Sequence, residues 1–202
     1  MLRDEMDVFK INVKFFARDP VQVEQAEFVP VFHSWIQIQS VPEHTLIDVA
    51  DYAHVKDGPG ILLVSHEANF YADWIGGRLG FTYQRKHAAP GDLKDRLRQA
   101  IVAALESCVR LENDPRLNGR IQFKTDEVSI QLNDRLNAPN NDQTWSAVEP
   151  ELRQMLSELY GKDVKLDRKA DPRELFEVRA TAANAPNASE LLSHLGATAQ
   201  TW

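Results

Sequence analysis

Hydrophobic and polar residues alternate over the first stretch of the chain, and the period then changes to that of a helix at three places. Phe9, Ile11, Val13 and Phe15 fall on one side of the segment from Val8 to Ala17, with Lys10, Asn12 and Lys14 on the other. This two-residue period predicts a half-buried strand. From Glu27 to Gln39 the residues Phe28, Val31, Phe32, Trp35 and Ile36 recur at helical spacing, with Pro30 in the first turn, where its missing N–H costs nothing. Residues 45–53 and 60–72 read as strands again, divided by the turn Lys56-Asp57-Gly58-Pro59-Gly60. A further turn at Gly76-Gly77 leads into an alternating strand over 78–86, which places Leu79, Phe81 and Tyr83 on one face.

Asp92 reads as the N-cap of a long helix reaching Glu112, with Leu93, Leu97, Ala100, Ile101, Ala104, Leu105, Cys108 and Leu111 as its apolar stripe. Residues 120–124 and 128–132 suggest a hairpin across Thr125-Asp126. A third helix is expected from 144–146 to Gly161, with Ser146 and Glu149 at capping-box spacing and Pro150 confined to the first turn. Short strands over 164–168 and 175–180 follow. From Thr181 the composition shifts to Ala, Asn, Thr and Pro, which predicts a linker. It ends in a short amphipathic piece carrying Leu191, Leu192 and Leu195, either a loosely docked tail or an arm that packs on a neighbouring subunit.

The resulting order is β-α-β-β, β-α-β, β-α-β-β. Hairpins outnumber crossovers, so the expected class is α+β, a mainly antiparallel sheet with three amphipathic helices packed on it. The matching first and last units suggest a β-α-β-β pseudo-duplication, although they share no residue-level identity. Residues 1–180 are expected to form one domain and 181–202 a linker with a short tail.

Composition and charge narrow the function. The 202 residues are 43% hydrophobic and 26% charged, a globular balance, and the net charge of −7 removes the usual attraction to nucleic acid or an anionic membrane. The single cysteine, Cys108, excludes an intrachain disulfide and a cysteine-based zinc cluster, and its place on an apolar helix face marks it as an inert core residue. No run approaches the roughly 18 apolar residues of a membrane span, and the charged N-terminus lacks a signal-like stretch. A soluble cytoplasmic protein is therefore expected. Gly76-Gly77-Arg78-Leu79-Gly80 precedes a strand where a dinucleotide site needs a helix, and Gly58-Pro59-Gly60 lacks the Lys and Ser/Thr of a phosphate loop, so no nucleotide motif is present.

One constellation carries candidate chemistry. Asp48, Asp51 and His54 are followed, after the Gly-Pro-Gly turn, by Ser65-His66-Glu67, which sets ionisable groups inside apolar strands where burial is costly unless they are paired or used. A hairpin centred near Asp57-Gly58 would oppose residue 49 to 66 and 48 to 67, so that one aspartate accompanies His66 and the other Glu67. A tight turn at Gly76-Gly77 would bring Arg85 near Ala68 and Lys86 near Glu67, making Arg85 and Lys86 the charge-balancing or anion-binding groups. The cluster reads either as a structural polar network, with Glu67 and Lys86 a cross-strand ion pair, or as an acid–base site or divalent-metal site beside an anion-binding pair. Two functions follow. The first is a non-catalytic protein that binds a small anionic ligand or self-assembles into a homo-oligomer through an open sheet edge or the C-terminal arm. The second is a small hydrolase-like or isomerase-like enzyme using Asp48 or Asp51, His54, His66 and Glu67, with a divalent metal as candidate cofactor.

Overall fold

The computed structural model describes residues 7–161 and 164–197; the charged start of the chain before Asp7 and the terminal Trp202 lie outside them. The elements are β1 (Ile11–Ala17), α1 (Phe28–Ile38), β2 (Leu46–Tyr52), β3 (Gly60–Ser65), β4 (Ala68–Asp73), β5 (Gly80–Arg85), α2 (Leu93–Glu112), β6 (Phe123–Leu132), α3 (Asp142–Tyr160), β7 (Val164–Arg168), β8 (Phe176–Ala182) and α4 (Ala188–His194). The eight strands form one antiparallel sheet in the order β2-β3-β4-β5-β1-β6-β8-β7. The class is α+β, with four helices among the described residues where three were expected.

The two-residue period divides this sheet into two faces. Ile11, Val13 and Phe15 of β1, Phe81 and Tyr83 of β5 and Val128 and Ile130 of β6 are all buried in the core they share with α1, α2 and α3. Trp35 and Phe32 of α1 meet Phe81 at ring-centroid separations of 6.4 and 6.3 Å in edge-to-face contacts, which fixes how α1 lies on the sheet. The alternate residues, including Asn12, Lys14, Thr82, Ser129 and Gln131, lie on the helix-free face.

The internal likeness takes a fuller form than expected. β1 and β6 are adjacent and antiparallel, β5 flanks β1 as β8 flanks β6, and β4 follows β5 as β7 follows β8. The unit is thus β-α-β-β-α on each side, with the β2–β3 hairpin as an addition to the first.

Three local expectations change. Residues 60–72 are two strands: β3 and β4 reverse at His66-Glu67, because the buried Ser65 hydroxyl donates to the Ala68 carbonyl (2.7 Å) and accepts from the Ala68 N–H (2.9 Å). Residues 120–132 are not a hairpin. On β1 the partner of Phe15 is Val128 and that of Ala17 is Phe123, so residues 124–127 bulge within β6 without reversing it. α3 begins at Asp142, capped by the Asn141 side chain accepting from Thr144 N–H (2.8 Å), which leaves Pro150 inside the helix and Ser146 without a cap role.

The C-terminal segment also proves ordered through residue 197. β8 runs on to Ala182, past the expected start of the linker. Leu191, Leu192 and Leu195 of the amphipathic piece are buried in this chain's own core, Arg98 of α2 donates to the Leu195 carbonyl at 2.5 Å, and His194 Nδ1 lies 3.0 Å from the Leu159 carbonyl of α3. The arm docks in cis.

Candidate functional site

The observed β2–β3 register decides the fate of the predicted cluster. Val49 opposes Leu63 and Asp48 opposes Val64, with a bulge between Leu46 and Asp48, so residues 49 and 48 do not face 66 and 67. Asp51 opposes Ile61, five residues before His66, which is roughly 16 Å along a strand. Asp48, Asp51 and His54 are exposed, and the two carboxylates bond their own backbone: Asp48 accepts from Val49 N–H and Asp51 from Ala53 N–H, each at 2.8 Å. They form no site with His66 and Glu67. Among the described residues no group of three His, Cys, Asp or Glu side chains is arranged to hold a metal ion.

His66, Glu67, Arg85 and Lys86 do come together, at the sheet end where the β3–β4 turn meets the end of β5, and Arg85 opposes Ala68 as expected. The expected Glu67–Lys86 ion pair is absent. The Lys86 ammonium donates to the Ser65 carbonyl, and only the Lys86 backbone N–H reaches the Glu67 carbonyl, at 3.0 Å. The Glu67 carboxylate turns to the chain entering β2, where it accepts from Thr45 N–H at 2.7 Å and from the Thr45 hydroxyl at 3.4 Å. Burial alone would raise its pKa, but the Thr45 and Glu67 backbone N–H groups outweigh that and lower it, with His44 and His66 adding to the effect. His66 is exposed and stacks on His87 at 5.0 Å.

The centre of this sheet end is His44. Its Nδ1 lies 2.7 Å from the Pro42 carbonyl, an acceptor only, so Nδ1 carries the proton. Nε2, 3.2 Å from the Tyr83 hydroxyl, must then accept when the ring is neutral, and Tyr83 Oη accepts in turn from Arg85 at 3.2 Å. Burial lowers the His44 pKa and raises that of Tyr83, which keeps both rings neutral near pH 7. Both ring nitrogens of His44 and the Tyr83 hydroxyl are thereby occupied. This arrangement braces the entry to β2; Ser65, the nearest hydroxyl on the turn, is buried and already committed to Ala68.

A second site lies on the helical layer. α1 ends at Gln39, which adopts a left-handed conformation (φ 46°) and uses its side-chain amide to clamp β2, donating to the Leu46 carbonyl and accepting from Leu46 N–H, both at 3.0 Å. Between this end of α1 and the last turn of α2 opens a cleft of about 450 Å³, walled by Trp35, Ile38, Ser40, Val109, Arg110 and Arg116 among others. That volume is in the range of small-molecule sites. The Arg110 guanidinium lies 5.4 Å from the Trp35 ring centroid, and burial lowers its pKa against the pull of Glu106. Arg116 pairs with Asp114 at 3.3 Å, and Ile38 is 66% exposed at the rim. Ser40 is buried in the wall, and its hydroxyl has no hydrogen-bond partner among the described residues.

The sequence offered little warning of either His44 or this cleft. Trp35 registered only as part of an apolar stripe, and the one local signal for Arg110 is its i,i+4 spacing from Glu106 beside that of α2. No protein-family model matches the chain, and no curated protein matches it significantly.

Proposed function

We propose that the protein is a non-catalytic small-molecule-binding protein whose ligand occupies the α1/α2 cleft, an amphipathic carboxylate with its apolar body against Trp35, Ile38 and Val109. The observation that carries this reading is the buried Ser40 hydroxyl, which lines the cleft without a partner. A buried polar group in that state costs about 1–3 kcal/mol, which a ligand oxygen would recover. The cleft lies at the C-terminal ends of two helices, whose partial charges disfavour an anion by about 0.3–1 kcal/mol each. Hydrogen bonds from a guanidinium to a carboxylate, at about 1.5–3 kcal/mol, outweigh that.

Of binding and self-assembly, the sheet edges support binding. β2 carries exposed Asp48 and Asp51 and a bulge, and β7 carries Lys165 and Asp167 on one face, devices that hinder edge-to-edge pairing. The enzyme reading lacks a gathered set of groups, since Asp48 and Asp51 bond backbone N–H groups along β2 while Glu67, in the β3–β4 turn, is engaged by Thr45. Calorimetric titration with phenylacetate and hexanoate, each beside its uncharged amide, tests the proposal. Saturable binding that favours the carboxylate, and loses that preference in Arg110→Gln, is the expected result. Absence of binding, or equal affinity of acid and amide, would overturn it.

A further inference from the structure

The helix-free face of the sheet carries a second recess. Four amide side chains occupy one row across adjacent strands, Asn69 on β4, Gln84 on β5, Asn12 on β1 and Gln131 on β6, and Glu177 of β8 continues the row. Asn69 donates to Gln84 at 3.0 Å and Asn12 donates to Gln131 at 2.8 Å. The neighbouring row of the same face runs Tyr71, Thr82, Lys14, Ser129. Within these rows lies a recess of about 110 Å³ whose lining includes Asn12, Lys14, Tyr71, Asp73, Gln131 and Glu177.

The charged groups of the recess are largely matched from within. The fully buried Asp73 accepts from Lys14 at 2.5 Å on one oxygen and from the Thr82 hydroxyl at 3.0 Å on the other, and Glu177 accepts from the Ser129 hydroxyl at 2.7 Å. What remains is of mixed polarity. Asn12 is 7% exposed, yet its Oδ1 acceptor has no partner among the described residues. Gln131 uses only its oxygen, so its amide N–H groups are unpaired, and the Tyr71 hydroxyl is unpaired too, both among the described residues. Burial, and after it the charge of Asp73, holds the Tyr71 phenol protonated, so it can donate as well as accept.

We infer that this recess binds a neutral polyhydroxylated ligand, a sugar or polyol, with one hydroxyl donating to Asn12 Oδ1, the same or a neighbouring hydroxyl accepting from the Gln131 amide, and a further one meeting the Tyr71 hydroxyl. An ammonium group would serve the acceptor and leave the amide N–H groups unpaired. An anion would serve the donors, leave Asn12 Oδ1 unpaired and face two carboxylates against one lysine. A hydroxyl supplies both polarities from a single atom, and a polyol repeats it at short range. The site is on the opposite face of the sheet from the α1/α2 cleft, so neither reading depends on the other.

Polyols stabilise folded proteins generally by exclusion from their surface, so a melting temperature does not test this. The measurement is a ¹⁵N-correlation titration of the full chain with glucose, myo-inositol and glycerol, following the side-chain amide signals of Asn12 and Gln131, with ethylammonium and acetate as charged comparators. Saturating shifts of those two signals are expected for at least one polyol, with affinity at least fivefold weaker in Asn12→Ala and also reduced in Tyr71→Phe, which removes only a hydroxyl. Shifts that rise linearly without saturation for every polyol, saturation by a charged comparator alone, or affinity unchanged in Tyr71→Phe would overturn the inference.

Discussion

The imidazole of His44 and the hydroxyl of Tyr83 lie 3.2 Å apart, and the Pro42 carbonyl, by claiming the proton on Nδ1, determines that Tyr83 is the donor between them. Protonating Nε2 would set two donors against each other beside the Arg85 guanidinium. Burial already lowers the His44 pKa below 6.5, so the unfolded chain takes up a proton at a higher pH than the folded one. This contribution to stability is complete above about pH 6.5 and is lost as pH falls from there through the folded-state value. Glu106 and Glu112, whose pKa values burial raises, act in the opposite sense, because the folded state protonates them first. Urea unfolding at pH 7.5 and 5.5 should therefore show a larger loss for wild type than for His44→Gln. Equal losses would rule out the neutral-imidazole assignment.

The strands and the three long helices were legible because their periods are strong, and the Ala68–Arg85 register followed from the turn at Gly76-Gly77. The reversal at His66-Glu67 was not, because neither residue is a turn former and the feature that closes it is one buried hydroxyl, Ser65, inside an apolar run. The β2–β3 register is also shifted by three residues, Val49 opposing Leu63 where residue 66 was expected, and this shift, with the end of β3 at Ser65, leaves Asp48, Asp51 and His54 away from His66. His44 acquires its role from Pro42, two residues away, and from Tyr83 and Arg85, about forty residues away. No local period encodes such a meeting. The tail looked like a linker by composition, yet three leucines were enough to dock it.

Leu192 of α4 is fully buried in the core shared with α2 and α3. Leu192→Ala should lower stability by about 2–5 kcal/mol, from lost burial plus the cavity left behind. Because the helix docks on its own chain, the elution volume on size exclusion should not change. A variant that keeps its stability and changes its oligomeric state would instead show the arm reaching a neighbour.

Gly60 and Gly77 both have positive φ, 65° and 74°, but differ in surroundings. A β-carbon on Gly60 would stand 2.1 Å from the Ala72 carbonyl oxygen and 2.2 Å from Gln25 Nε2, whereas none of the surrounding atoms lies within 4 Å of one on Gly77. Gly77→Ala should cost only the left-handed conformation, about 1–2 kcal/mol. Gly60→Ala must also push the β3–β4 ladder apart, so its midpoint in urea should fall well below that of Gly77→Ala. Equal midpoints would mean the ladder yields without cost.

Glu127 gathers three cations on the helix-free face. It takes a two-pronged pair of bonds from Arg78 (2.9 and 2.8 Å), with Arg179 at 3.5 Å and Lys124 at 3.7 Å. Arg78 and Arg179 also lie 4.1 and 5.4 Å from the Phe16 ring centroid, so this carboxylate offsets the repulsion of two guanidinium groups that share one aromatic ring. Glu127→Gln should destabilise by about 1–3 kcal/mol, since it leaves the cations facing one another. The Arg78 bond, followed by the charges of Arg78, Arg179 and Lys124, outweighs burial and lowers the Glu127 pKa. Its contribution is thus present above the ordinary carboxylate range near pH 4.5 and lost as pH falls through the folded value. In Glu127→Gln the acid limb of the stability curve should flatten, and adding Arg78→Met should recover part of the loss by removing one of the repelling cations. A double variant whose loss equals the sum of the two single losses would show that Arg78 acts through its contact with Phe16 and not through Glu127.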